Sequence, residues 1–232
     1  AWRAVTTVSD STFTSNSSTE ANGGAIYHGE DTEHSKILTL THCTFDSNNT
    51  ATTGNGGAVY MNYGTAKVSG STFTSNGTDG TDVGGAIYVN EGETTISNTD
   101  FSSNEATSKG GAVYDNAGAV TIKETCTFSE NSAAEGGALY EYGGETEISD
   151  SSFSANISNS STANAGGGAI YYRGNSASTQ LKLTRCTFVS NESTGNSGAR
   201  AGAVYIYRGG AVITGSTFTS NGWNATTQEA TT

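Results

Sequence analysis

The residues best suited to chemistry are few, and their spacing is uneven. Three histidines, His28, His34 and His42, fall close together, a grouping that suits a metal ligand set or a general base. Carboxylates recur in short groups: Glu30, Asp31 and Glu33, then Glu91 and Glu93, then Asp115, then Glu141, Glu145 and Glu147. Paired carboxylates can cleave glycosidic bonds, and oxygen clusters can hold Ca²⁺. Cys43, Cys126 and Cys186 raise the question of a disulfide or a thiol site. Asn16, Asn48, Asn76, Asn156, Asn191, Asn159 and Asn224 each begin an Asn-x-Ser/Thr sequon, the acceptor of N-linked glycans.

Which of these acts depends on what positions them, and the chain answers with a repeat. Gly23-Gly24-Ala25-Ile26-Tyr27 returns at Gly56–Tyr60, Gly84–Tyr88, Gly110–Tyr114, Gly136–Tyr140 and Gly167–Tyr171. A last copy, Ala201 to Tyr205, lacks the first glycine. Between copies stands Phe followed three residues later by Asn. The eight pairs begin at Phe13, Phe45, Phe73, Phe101, Phe128, Phe153, Phe188 and Phe218, and end at Asn16, Asn48, Asn76, Asn104, Asn131, Asn156, Asn191 and Asn221. Successive Phe residues lie 25 to 35 apart. A fixed-order unit of that length with no room for a helix marks a solenoid.

The expected fold is all-β: a right-handed parallel β-helix of about eight three-strand coils. One strand carries Gly-Gly-Ala-aliphatic-Tyr. A second centres on Leu40, Val68, Ile96, Ile148, Leu183 or Ile213, five residues before the Phe, and the third carries the Phe itself. Ile122 stands six residues before Phe128, which predicts a bulge there. Rungs about 4.8 Å apart give a rod roughly 35 to 40 Å long. Residues 1–222 form the single β-helix domain, and 223–232 a polar tail, extended or able to donate a strand. Alternation places Phe and the aliphatics inside. It sends Tyr27, Tyr60, Tyr88, Tyr114, Tyr140, Tyr171 and Tyr205 outward as an aromatic stack, a contact face. The residues flanking the Phe on the outside are mostly Ser and Thr, interrupted by Asp46, Asp100 and Val189.

This frame reassigns the reactive groups. Each cysteine sits two residues before its Phe, where other coils hold Ser11, Ser71, Thr99, Ser151 and Ser216, so it reads as a small buried thiol. Cysteine-bearing coils are not adjacent, which puts the sulfurs beyond disulfide reach. The eight Asn at one repeat position form an amide ladder at a corner, or serve as glycan acceptors. Asn104, Asn131 and Asn221 keep the position without a sequon, so Asn159 and Asn224 are the better acceptors. The histidines read as loop decoration, the acids as a solvated edge, and Arg173 and Arg208 as turn residues balancing acidic neighbours. The repeat does not break where acids, bases and nucleophiles could gather. The expectation is therefore not an enzyme, with no catalytic residues, no metal site and no cofactor.

Composition narrows the partners. The 232 residues include 31 Gly, no Pro and only 33% hydrophobic residues, with a net charge of −12. Ten Lys and Arg against 22 Asp and Glu offer no basic patch, which argues against nucleic acid. No run approaches the ~18 apolar residues of a membrane span, so no membrane insertion is expected. The chain starts at Ala1, as a processed protein or a fragment would.

Gly-Gly-Ala-Ile/Val/Leu alternating with Phe-x-x-Asn resembles the repeat of the chlamydial polymorphic outer-membrane-protein family, over residues 8–221. That resemblance implies a surface-exposed autotransporter passenger acting as an adhesin, although this chain has no C-terminal membrane barrel. The expected protein is thus an extracellular or cell-surface rod with a structural or adhesive job. Its expected partners are copies of itself, stacked head to tail, and host or environmental glycans. Polysaccharide binding or processing is the alternative. Ice binding, from the Ser/Thr columns, is a more distant one.

Overall fold

Residues that recur once per coil can be buried only by stacking coils in register. The computed structural model of the chain does this, and it describes residues 4–19, 21–29, 36–80, 82–160, 166–194 and 200–223. The described residues contain no helix. Three parallel sheets run along the rod and make a β-solenoid.

The Phe sheet has eight three-residue strands in sequence order, from Thr12–Thr14 to Thr217–Thr219. Phe stacks on Phe, with ring centroids 4.6 to 4.9 Å apart and planes within 9°. The six inner Phe are fully buried. They face an aliphatic wall that includes Val59, Ile87, Ile96, Ile122, Leu139, Ile148, Ile170 and Leu183. Burial of each such side chain stabilises the fold by about 1.5 to 3 kcal/mol.

The second sheet was not expected. It consists of eight two-residue strands placed directly after each ladder Asn, from Ser17–Ser18 to Gly222–Trp223, where the sequence pattern suggested no strand. Its inward residues are small: Thr50, Thr78, Ala106, Ala133, Ser158 and Ser193 are all buried. A two-residue strand has no hydrophobic pattern to read, so only stacking reveals it.

The third sheet carries both remaining strands of each coil. In two coils these fuse into one bent strand, Val59–Ser69 and Ile87–Ser97. Tyr63 and Glu91 take up the bend with φ of 58° and 52°. The expected bulge before Phe128 is absent. Ile122 pairs directly with Ile96. The additional residue sits in the following corner, where Glu124 and Thr125 both have positive φ. A register shift does occur between Tyr172 and Arg173, opposite Ile206 and Arg208, which makes Tyr207 the extra residue.

The paired glycines divide two tasks. The first, such as Gly110, has φ of +62°, a left-handed corner. The second, such as Gly111, lies where two walls of the coil touch. A Cβ there would stand 2.1 Å from the Gly137 carbonyl oxygen and 2.5 Å from that of Ser132. Ala201 occupies the first position in the last copy with φ of 54°, so the methyl group is accommodated there, while at Gly110 a Cβ would stand 2.2 Å from the Val113 carbonyl oxygen of its own strand.

Candidate functional site

The chemistry-bearing side chains form columns along the rod, since each coil adds one member at the same place. The asparagine column is the most regular. Each corner entering it carries a residue of positive φ just before the Asn, from Ser15 at 54° to Ser220 at 52°. That conformation costs an L-residue roughly 1 to 2 kcal/mol. The amides offset it. Asn104 Nδ2 donates to the Phe73 carbonyl at 3.0 Å and to Asn131 Oδ1 at 2.9 Å. Asn104 Oδ1 accepts from the Asn76 backbone N–H at 3.0 Å and from Asn76 Nδ2 at 3.0 Å. The same pattern runs from Asn16 through Asn48, Asn156 and Asn191 to Asn221. Asn48, Asn76, Asn156 and Asn191 are buried with Nδ2 occupied, so their sequons leave no room for a glycan in the folded rod. Asn159 is exposed. Asn224 lies outside the described residues.

The tyrosines stack on the opposite face of their strand from the core aliphatics. From Tyr27 to Tyr171 the rings are 4.6 to 5.2 Å apart and nearly parallel. Tyr205 breaks the stack, meeting Tyr171 at 72°. The stack faces outward, yet its middle is covered. Tyr60, Tyr88, Tyr140 and Tyr171 are buried, and Tyr27 alone among the seven is freely exposed. Desolvation raises the phenol of Tyr114 to about 12 and lifts those of Tyr88, Tyr140 and Tyr171 as well. Lys109 stands 4.9 Å over the Tyr140 ring and pairs with Glu135 at 3.8 Å.

The exposed aromatic surface lies one column over, at a position where sequence reasoning singled out only Arg173 and Arg208, as turn residues. Asn62, Asn90 and Asn116 form a short amide ladder there, with bonds of 2.9 and 2.8 Å. Tyr142, Arg173 and Tyr207 continue it. The Arg173 guanidinium sits 4.8 Å from the Tyr142 ring and 5.3 Å from that of Tyr207. Arg208 also lies over Tyr207. Both arginines are therefore strand residues stacked on aromatics, rather than turn residues balancing acids. For Arg173, two residues after Tyr171, strand alternation was the available signal, whereas Arg208, three residues after Tyr205, reaches its place only through the register shift at Tyr207.

The acids do not form one solvated edge. Glu147 pairs with Lys182 at 2.6 Å, and Asp150 takes a two-pronged bond from Arg185 at 2.6 and 2.7 Å. Asp115 and Glu141 are buried completely. They occupy the inward position that holds Met61, Val89, Tyr172 and Ile206 in other coils. Because the Tyr strand continues past Tyr, the second residue after the aliphatic must face the core. Glu30, Asp31, Glu33 and His34 lie outside the described residues. His28 is nearly buried, bonded through Nε2 to Thr6 Oγ1 at 2.9 Å, and burial lowers its pKa. His42 is exposed, 3.7 Å from Asp10. Thus His28 and His42 are not brought together into a site. Among the described residues there is no group of three or more His, Cys, Asp or Glu able to hold a metal ion.

The cysteines are free and buried, at the position held elsewhere by hydroxyls. Ser71 Oγ accepts the Cys43 N–H at 3.0 Å and donates to the Ser69 carbonyl. The thiols make the matching contact, Cys43 Sγ to the Thr41 carbonyl and Cys186 Sγ to the Thr184 carbonyl. Ser, Thr and Cys exchange there because each is a small side chain with one donor. Burial raises the thiols of Cys126 and Cys186, which makes them poor nucleophiles.

Residues 10–29, 98–116 and 125–140 match the model of the Chlamydia polymorphic membrane protein repeat. Three stretches of the chain are thus similar to that repeat. Each matched stretch holds one Phe-x-x-Asn corner and the Gly-Gly-Ala-aliphatic-Tyr strand after it, and the remaining coils stack on these in the same register. Neither a curated protein nor a solved structure matched the chain. Polymorphic membrane protein repeats on a β-solenoid fit a surface-exposed repeat protein. No helix among the described residues is long and apolar enough to cross a membrane.

Proposed function

We propose that this chain is an extracellular structural and adhesive rod, displayed at a cell surface, which stacks head to tail on copies of itself. The observation that supports this reading is the direction of the asparagine ladder. Each Asn sends its backbone N–H and one amide N–H toward the next coil and turns its Oδ1 to the previous one, so one end of the ladder presents donors and the other an acceptor. A first coil therefore complements a last coil, and such a head-to-tail contact does not close on itself. Electron microscopy of the purified chain at increasing concentration tests this. The expected result is threads with an axial repeat of roughly 35 to 40 Å, eight rungs at strand spacing. Short separate rods at every concentration overturn the self-stacking.

The adhesive part of the reading rests on the column of Asn62, Asn90, Asn116, Tyr142, Arg173 and Tyr207. Amides, a guanidinium and two exposed aromatic rings in a row suit sugar hydroxyls and sugar faces. Binding to a panel of glycans is expected to weaken about tenfold or more in Tyr142→Ala and Arg173→Ala, as for the loss of a central aromatic or Arg contact. Unchanged binding in both variants rejects this face as the contact surface. Asn159 is the acceptor we assign for a glycan on the rod itself.

A further inference from the structure

Among the groups buried in this rod, one pair has no structural partner that explains it. Asp115 and Glu141 sit at directly paired positions of adjacent parallel coils, both side chains inward and both without solvent exposure. Asp115 accepts a hydrogen bond from Thr94 Oγ1 at 2.8 Å and from the Gly118 N–H at 2.8 Å. Glu141 Oε1 accepts from the Gly144 N–H at 2.9 Å. Its other oxygen, Oε2, is buried with no hydrogen-bond partner, as is the Thr146 hydroxyl in the same coil.

Among the described residues the surroundings supply no positive charge. The same column continues as Val89 on one side and Tyr172 on the other. Across the bend the inward positions are Thr94, Val120, Thr146 and Leu181. The Phe sheet contributes Phe101, Phe128 and Phe153, and the two-residue strands contribute Ala106, Ala133 and Ser158. The ionisable groups that feel the pair are Tyr88, Tyr114 and Tyr172, with Glu145 near Tyr172, and none is a cation. Two ionised carboxylates stacked in such a core would be unpaired like charges in a low dielectric, which is strongly unfavourable.

We propose that Asp115 and Glu141 form an internal proton latch, which holds their two coils closed while a carboxyl carries a proton and loosens them when both ionise. Desolvation raises Asp115 to about 7, and desolvation together with the Asp115 charge raises Glu141 well above the ordinary range. In the unfolded chain both acids ionise near 4. Stability from the pair is therefore complete below about pH 4 and is lost as the pH rises through the folded values. The rod is firmer in mildly acidic surroundings and loosens at its middle above neutrality.

Thermal unfolding across pH tests the latch. The wild-type melting temperature is expected to fall by roughly 5 to 10 °C between about pH 5 and about pH 8. The doubly neutral variant Asp115→Asn/Glu141→Gln is expected to lose most of that dependence. Equal pH slopes in the two proteins overturn the proposal. Hydrogen exchange on the wild type alone gives the answer even where the variant fails to fold. After correction for the intrinsic pH dependence, amides at 113–118 and 139–144 are expected to lose protection at about pH 8, while those at 66–73 keep it. Uniform behaviour along the rod overturns the latch.

Discussion

Gly111→Ala is expected to unfold the middle of the rod, whereas Gly110→Ala, one residue away, is expected to leave it folded. At Gly111 the obstacle is backbone. A new Cβ meets the Gly137 carbonyl oxygen at 2.1 Å and the Ser132 backbone at 2.5 and 2.7 Å. Gly137 is held in its corner by its N–H bond to the Gly167 carbonyl at 3.1 Å, and Ser132 in its strand by its N–H bond to the Asn104 carbonyl at 2.9 Å, so neither can retreat without parting the coils. Gly85 and Gly137 meet the same obstacle, which marks it as a property of the corner. A loss above about 4 kcal/mol is the scale of such a backbone conflict, and for a chain near this length it lowers the melting temperature by more than about 10 °C. Gly110 needs left-handed φ, which costs an alanine about 1 to 2 kcal/mol, and a Cβ there would stand 2.2 Å from the Val113 carbonyl oxygen, a conflict within one strand rather than between two coils, which the last copy accommodates at Ala201. Ala201 already bears that cost, so Ala201→Gly is expected to stabilise the last coil by about 1 kcal/mol. Thermal melts of the three variants check the order. A Gly111→Ala protein as stable as Gly110→Ala would mean that the walls separate easily.

The same corner shows what could be read in advance. The sequence repeats Gly-Gly before Ala without saying which glycine needs φ and which needs space, and the degenerate copy at Ala201 separates them only once the coil is in view. The Phe column, the aliphatic wall and the asparagine ladder were legible because each repeats one residue type at one place. The two-residue strands after Asn were not, since their inward members range over Thr, Ala and Ser and their outward members over Asn, Gly, Glu and Ile. Asp115 and Glu141 were legible in principle: aligned on the Tyr, they share a position with Met61, Val89 and Ile206. Acidic side chains near glycines read instead as turn residues, and that local habit hid the column. The buried state of the tyrosine stack was harder to see. Strand alternation gives its direction, but its cover comes from rings above and below and from neighbours such as Lys109 and Arg173.

Asn104→Asp is expected to destabilise the rod more than Asn104→Ala, although Asp is the closer match in shape. Asn104 is fully buried and makes four bonds, two as donor and two as acceptor. Alanine removes all four and leaves the Phe73 carbonyl without its side-chain donor, a loss of about 3 kcal/mol at the usual cost of unsatisfied buried groups. Aspartate keeps the two acceptor roles toward Asn76. It turns both donor roles into oxygen facing oxygen, against the Phe73 carbonyl and Asn131 Oδ1, and adds a buried charge. A loss of about 4 to 5 kcal/mol follows, the range for an uncompensated charge in a core. The pH dependence separates the two variants. A buried carboxyl at this site is held protonated by folding, so its contribution is present below about pH 4 and lost as the pH rises. Asn104→Asp is therefore expected to regain stability toward acid pH relative to Asn104→Ala, because the protonated acid can again donate one bond up or down the ladder. Chemical unfolding of both variants at about pH 4 and about pH 7 measures this. If their difference does not change with pH, the ladder contributes shape alone, and its amides do not carry the strain of the corner.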